Sequence, residues 1–152
     1  METQNRVKEF FEKRVEKFDS IYAPEKKLIW KILDFLFRRS MQKRFELTLQ
    51  ELKDAKAKKI LDIGCGSGRY SIALAQNKIY VSGIDFANKM IEQARIYAKV
   101  KGLENFCNFV VGDFLDYQFT DKFDISIAIG FFDYVKKPIK YLQKIDCKMK
   151  YF

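Results

Sequence analysis

The 152 residues include no histidine, and the three cysteines, Cys65, Cys107 and Cys147, form no C-x-x-C pair. The usual zinc donor sets are therefore missing, and nothing marks a disulfide framework, so no metal site is expected. No apolar run approaches the roughly 20 residues that a membrane-spanning helix needs. The opening M-E-T-Q-N-R lacks the apolar core of a secretory signal, which makes the cytoplasm the expected location. What is present is ordinary for a folded chain. Apolar residues at 48% and charged residues at 32% suit one domain with a real core rather than a disordered segment.

The net charge of +9 allows two readings. One is affinity for nucleic acid or for an anionic membrane surface. The other is a lysine-rich, solvated surface. No aromatic–basic interleaving and no arginine-rich tract accompany the charge, which favours the second.

Val7, Phe10, Phe11, Val15 and Phe18 recur at three- and four-residue spacing and predict an amphipathic helix over about 3–18. Pro24 suits the first turn of a second helix. That helix would carry Leu28, Ile29, Ile32, Leu33, Leu36 and Phe37 on one side. Met41–Leu52 continues helically, and the charged residues 53–59 form a connector into the first strand. Residues 1–58 thus form a helical leader. It could cover a site, pack on the rest of the fold, or lie on a membrane surface, since Trp30, Phe35 and Phe37 sit among lysines and arginines.

The chain then turns on one stretch, Lys59–Tyr70, which reads K-I-L-D-I-G-C-G-S-G-R-Y. An apolar run with Asp62 inside it breaks at Gly64, Gly66 and Gly68 and resumes helically through Ser71–Ala75. The pattern is strand, glycine turn, helix, and such a turn lets a ligand lie against the main chain. A dinucleotide fingerprint wants G-x-G-x-x-G. Here the third glycine comes one residue early, at Gly68, and Arg69 stands in the place reserved for it. The sequence D-x-G-x-G-x-G after a strand resembles motif I of the class I S-adenosylmethionine (SAM) dependent methyltransferases.

Further strands are read from I-Y-V-S-G-I before Asp85, from Asn105–Val111 and from Lys122–Ile129. The near-continuous apolar character of the last predicts burial on both faces. Helices are expected over Asn88–Val100, buried through Met90, Ile91, Ala94, Ile96, Tyr97 and Ala98, and over Pro138–Tyr151, buried through Ile139, Leu142 and Ile145. Asp85 ends the second strand about 20 residues after the glycine turn. It could accept both hydroxyls of a ribose, or simply cap the helix beginning at Asn88.

The resemblance implies a fold and a set of roles. The fold would be α/β, a Rossmann-like parallel sheet in order 3-2-1-4 with helices on both faces and a helical N-terminal cap. Gly64, Cys65, Gly66 and Gly68 would shape the loop beneath the methionine part of SAM, and Asp62 would help hold its amino group. Asp85 would take the ribose, with Phe86 beside the adenine. Asp113 and Phe114 would meet the adenine edge, with Asp116 as the rival acid. Gly130 closes the fourth strand, where the transferred methyl group would face. Asp133 and Tyr134 just beyond it, and Tyr22 from the leader, are the candidates for handling the acceptor. Phe131, Phe132 and Tyr134 could instead only cover the cofactor.

The family fold resembles a seven-stranded sheet, and the fifth strand with its following hairpin has no counterpart before Phe152. The SAM-binding core over 59–152 is therefore expected to be incomplete, with the outer edge of the fourth strand open to self-association or to a partner. The expected activity is methyl transfer from SAM to a small-molecule acceptor, leaving S-adenosylhomocysteine (SAH). Two alternatives stand beside it: a SAM/SAH-binding module without activity, and a basic nucleic-acid- or membrane-surface-binding protein on the same fold.

Overall fold

A computed structural model of the chain describes residues 42–146. Both earlier leader helices, Tyr22 and the residues after Asp146 lie outside them. Helix α1 (42–54) leads into β1 (Lys59–Ile63), α2 (Arg69–Ala75), β2 (Tyr80–Asp85) and α3 (Asn88–Val100). Then come β3 (Cys107–Val111), β4 (Ile125–Ile127), a single 3-10 turn (Phe132–Tyr134) and α4 (Pro138–Asp146). The strands are all parallel and run in the order β3-β2-β1-β4. This is the Rossmann-like order expected from the sequence.

Alternation along β1 sends Ile60 and Asp62 to one face and Leu61 and Ile63 to the other. On the first face Ile60 and Val81 pack with Leu52 of α1, Leu74 of α2 and Ile127 of β4. Next to them Ile72, Ile91, Ala94, Ala98 and Phe109 join α2 and α3 to β3. On the second face Leu61, Ile63 and Ile84 meet Phe114, Phe123 and Tyr141 of α4. Helices thus cover both faces. The described end of the leader packs on the start of α2 as well: Phe45 of α1 lies edge-on to Tyr70, ring centroids 4.8 Å apart, and beneath the Arg69 guanidinium at 4.6 Å.

Three expectations are corrected. In α3 the buried stripe is Met90, Ile91, Ala94 and Ala98, while Ile96 is 55% and Tyr97 36% exposed. At about 100° per residue, Ile96 points roughly opposite to Ala94. In α4 the inward residues are Tyr141, Lys144 and Ile145, whereas Ile139 and Leu142 are exposed. Strand β4 has three residues rather than eight, and Ile125 is only half-buried. Its one partner among the described strands is β1. Where the ladder stops, the Asp124 carboxylate takes over and accepts the N–H groups of Lys58 and Lys59 at 2.8 and 2.9 Å.

The register brings Ile63 beside Ile84 and Asp85 beside Val111. Strands β1, β2 and β3 therefore end level, and the loops after them rise from one edge of the sheet. That edge is where open α/β sheets bind ligands.

Candidate functional site

The loop after β1 holds Gly64, Gly66 and Gly68 at φ of +71°, +53° and +80°, where L side chains are strained. The three do different work. A Cβ on Gly64 would lie 2.6 Å from the Phe131 ring, and one on Gly68 would lie 2.9 Å from the Phe109 ring and 3.1 Å from the Ala94 methyl. A Cβ on Gly66 would meet nothing within 4 Å. The outer two let the chain pack closely; the middle one faces open space.

Backbone bonds pin this loop to β2. Gly64 and Cys65 donate to the Ile84 carbonyl at 2.8 and 3.2 Å, and Gly68 donates to the Cys65 carbonyl at 3.0 Å. Gly66 donates to Oδ2 of Asp85 at 3.0 Å, and Oδ1 of Asp85 accepts from Ala87 at 2.8 Å. Burial pushes the Asp85 carboxyl up, against the opposing pull of the Ala87, Gly66 and Phe86 N–H groups. Ala87 is itself the N-cap of α3, which has no side-chain cap. Asp85 therefore fixes the turn before the helix instead of capping its first-turn donors. With Gly66 and Ala87 on separate oxygens, the carboxylate still has acceptor capacity for a ligand hydroxyl. Phe86 is half-buried beside it.

Cys65 is turned inward. Its sulfur would lie 2.8 Å from a Cβ at Gly83, as would the Phe109 ring, so a glycine inside β2 makes room for both. Burial, with the Asp62 and Asp85 carboxyls beside it, pushes the thiol well above its ordinary value. It is a packing residue and a poor nucleophile. Asp62 is also buried, and its Oδ2 accepts the Ser71 hydroxyl at 2.6 Å. Burial first, and the Asp85 charge next, push its carboxyl up to about 6 against the Ser71 bonds.

The turn after β3 joins the same edge, since Gly112 donates to the Asp85 carbonyl at 2.9 Å. Asp113 forms that turn: Oδ1 accepts from Leu115 at 2.8 Å, and its carbonyl accepts from Asp116 and Tyr117. Asp116 is exposed. The Phe114 side chain is buried in the second core face, stacked with Tyr141 and overlain by the Lys144 ammonium at 5.3 Å. Its backbone remains the part that can serve a ligand. Lys144 also donates to the Leu115 and Tyr117 carbonyls at 2.6 and 2.7 Å, which straps α4 to this turn.

Beyond β4, Gly130 lies at φ +73° with open space around it, and Phe131 folds back onto Gly64. Asp133 and Tyr134 are exposed on the 3-10 turn. The structure thus gathers the glycine loop, Asp85, the Asp113 turn and Phe131 at one edge. Ser71, Gly83 and Lys144 were not foreseen as parts of its framework, nor was the contact of Phe131 with Gly64. Only Gly83, a glycine inside a strand, left a signal in the sequence.

A groove of about 450 Å³ between α2 and α3 lies to one side of this edge, touching the loop at Ser67 and lined by Arg69, Gln76, Tyr97 and Lys101. Among the described residues no acidic, cysteine or histidine cluster is arranged for a metal ion, and no helix is long and apolar enough to cross a membrane.

The sequence profile of the "Methyltransferase domain" family matches residues 54–150. The ubiquinone biosynthesis O-methyltransferase of Histophilus somni is 32% identical over 111 residues, which are 70% of this chain and 47% of that protein. The 24-methylenesterol C-methyltransferase 3 of Arabidopsis thaliana is 35% identical over 86 residues, 55% of this chain and 24% of that protein. The structure also superimposes on the magnesium protoporphyrin IX methyltransferase of Synechocystis PCC 6803, solved with bound SAM, with a TM-score of 0.82. That match has 19% identity and covers 99% of this chain and 73% of the other, a likeness of fold. The chain spans about half the length, or less, of the curated relatives it matches.

Proposed function

The chain belongs to the methyltransferase-domain family, and on that premise we propose that it binds SAM at the carboxyl edge of the sheet and methylates a small-molecule acceptor. The observation that carries this reading is the bracing of Asp85: its carboxylate, tied to Gly66 and Ala87, stands beside a glycine loop whose centre faces open space. A carboxylate so held is preorganised for a pair of ribose hydroxyls. An adenosine with its ribose on Asp85 has Phe86 beside the base and the Asp113–Phe114 turn at its edge, Phe114 through its backbone N–H. The methionine part then extends over Gly64, Gly66 and Gly68 towards Gly130.

When bound, SAM supplies a methyl group on a sulfonium, which passes to a nucleophilic atom while the carbon–sulfur bond breaks and SAH leaves. What the chain contributes is alignment, worth up to about 7–11 kcal/mol in well-oriented systems. A hydroxyl acceptor must also lose its proton. Without histidine, that proton goes to a carboxylate or a tyrosine, and Asp133 and Tyr134 stand on the turn after Gly130. Tyr22 is the leader's candidate for the same task. Relatives named for ubiquinone biosynthesis and for sterol C-methylation point to an apolar acceptor presenting oxygen or carbon.

The test is transfer of labelled methyl from SAM to a panel of prenylated phenols and sterols. Label should appear in at least one acceptor, and Asp85→Ala should abolish it at low SAM. SAM binding without transfer to any member of the panel would leave a cofactor-binding module in place of an enzyme.

A further inference from the structure

Asp62 leaves β1 on the face that α2 covers and is 3% exposed, while Ser71 is fully buried. Ser71 is the third residue of α2, whose N-cap, Gly68, has no side chain to offer. The first N–H groups of a helix have no acceptor within it. Here the acceptor comes from the strand: the Asp62 carboxylate takes the Ser71 hydroxyl at 2.6 Å and the Ser71 N–H as well. The short O–H···O distance is that of a charge-assisted bond. The glycine loop runs between these two residues, with Gly66 pinned at its middle to Asp85.

We propose that Asp62 and Ser71 form a buried clamp between β1 and α2 that sets the course of the glycine loop, so that Asp62 serves cofactor binding through the clamp and not by touching the cofactor's amino group. The proposal rests on the SAM reading above. The hydrogen bonds that Asp62 makes run to Ser71, Oδ2 taking the hydroxyl, and its titratable neighbours are Asp85 and Cys65. Both residues are positioning residues, acting on the ligand through Gly64–Gly68. Ser71 gains a role that its place in the helix alone would not give it.

The test compares SAH with its deamino analogue, which keeps the adenosine, sulfur and carboxylate and lacks only the amino group. Both are titrated calorimetrically into the wild type, Ser71→Ala, Asp62→Asn and the double variant. The clamp predicts that each single variant weakens both ligands alike, by roughly five- to tenfold, and that the double variant loses little more. An unchanged SAH affinity in Ser71→Ala overturns it. So does an Asp62→Asn variant that loses affinity for SAH alone, since that is the mark of a direct contact to the amino group. Should Ser71→Ala fail to fold, the two ligands against Asp62→Asn decide by themselves. A folded wild type that binds neither ligand overturns the cofactor reading itself, an outcome distinct from failure of the clamp.

Discussion

Three glycines spaced two apart look alike in the sequence, yet their neighbours separate them. Gly66 needs its left-handed backbone and has room for a methyl group; Gly68 has neither freedom, with Phe109 and Ala94 against it. Gly66→Ala should therefore cost the fold only about 1–2 kcal/mol, the strain of a left-handed alanine. It should nevertheless weaken SAH roughly tenfold, because the new methyl occupies the ligand's side of the loop. Gly68→Ala adds overpacking and should cost roughly 2–4 kcal/mol of stability. Denaturant unfolding beside SAH titration separates the two outcomes. Asp85 and the glycines were legible because their chemistry depends on residue type and spacing. The Phe131 contact with Gly64 was not, since it joins positions 67 residues apart, and sequence periodicity carries only local information.

Among the elements, the ends of α3 followed from sequence, and the helix faces followed only in part. The stretch Asn88–Val100 has the bounds that its pattern predicts, but Ile96 and Tyr97 point to solvent. Apolar residues at the surface are normal, so their presence does not locate the buried stripe. Strand β4 was overestimated because an apolar run records burial, and pairing requires a neighbour as well. Helix α4 shows the opposite case: a lysine among its solvated charges proves to be a strap. Lys144→Met should leave the Leu115 and Tyr117 carbonyls without that donor and cost about 1–3 kcal/mol. Because the strapped turn carries Asp113 and Phe114, adenosine affinity should fall in the same variant, while Lys144→Arg should recover part of both. Thermal unfolding and adenosine titration read the two effects.

At the scale of the whole molecule, the order β3-β2-β1-β4 and the level strand ends make the site. Neither Asp85 nor the Asp113 turn is near the glycine loop in sequence; parallel pairing in register brings them to one edge. The order was legible through the resemblance carried by the glycine motif; right-handed crossovers narrow the topologies but leave more than one order open. The central proposal is that this edge binds SAM through Asp85. The direct measurement is calorimetric titration of the chain with SAH, wild type against Asp85→Ala. Micromolar binding that weakens at least tenfold in the variant, a loss of about 1.4 kcal/mol or more, is the predicted result. A folded wild type that takes up no SAH, or an Asp85→Ala variant that binds as tightly as the wild type, would contradict it.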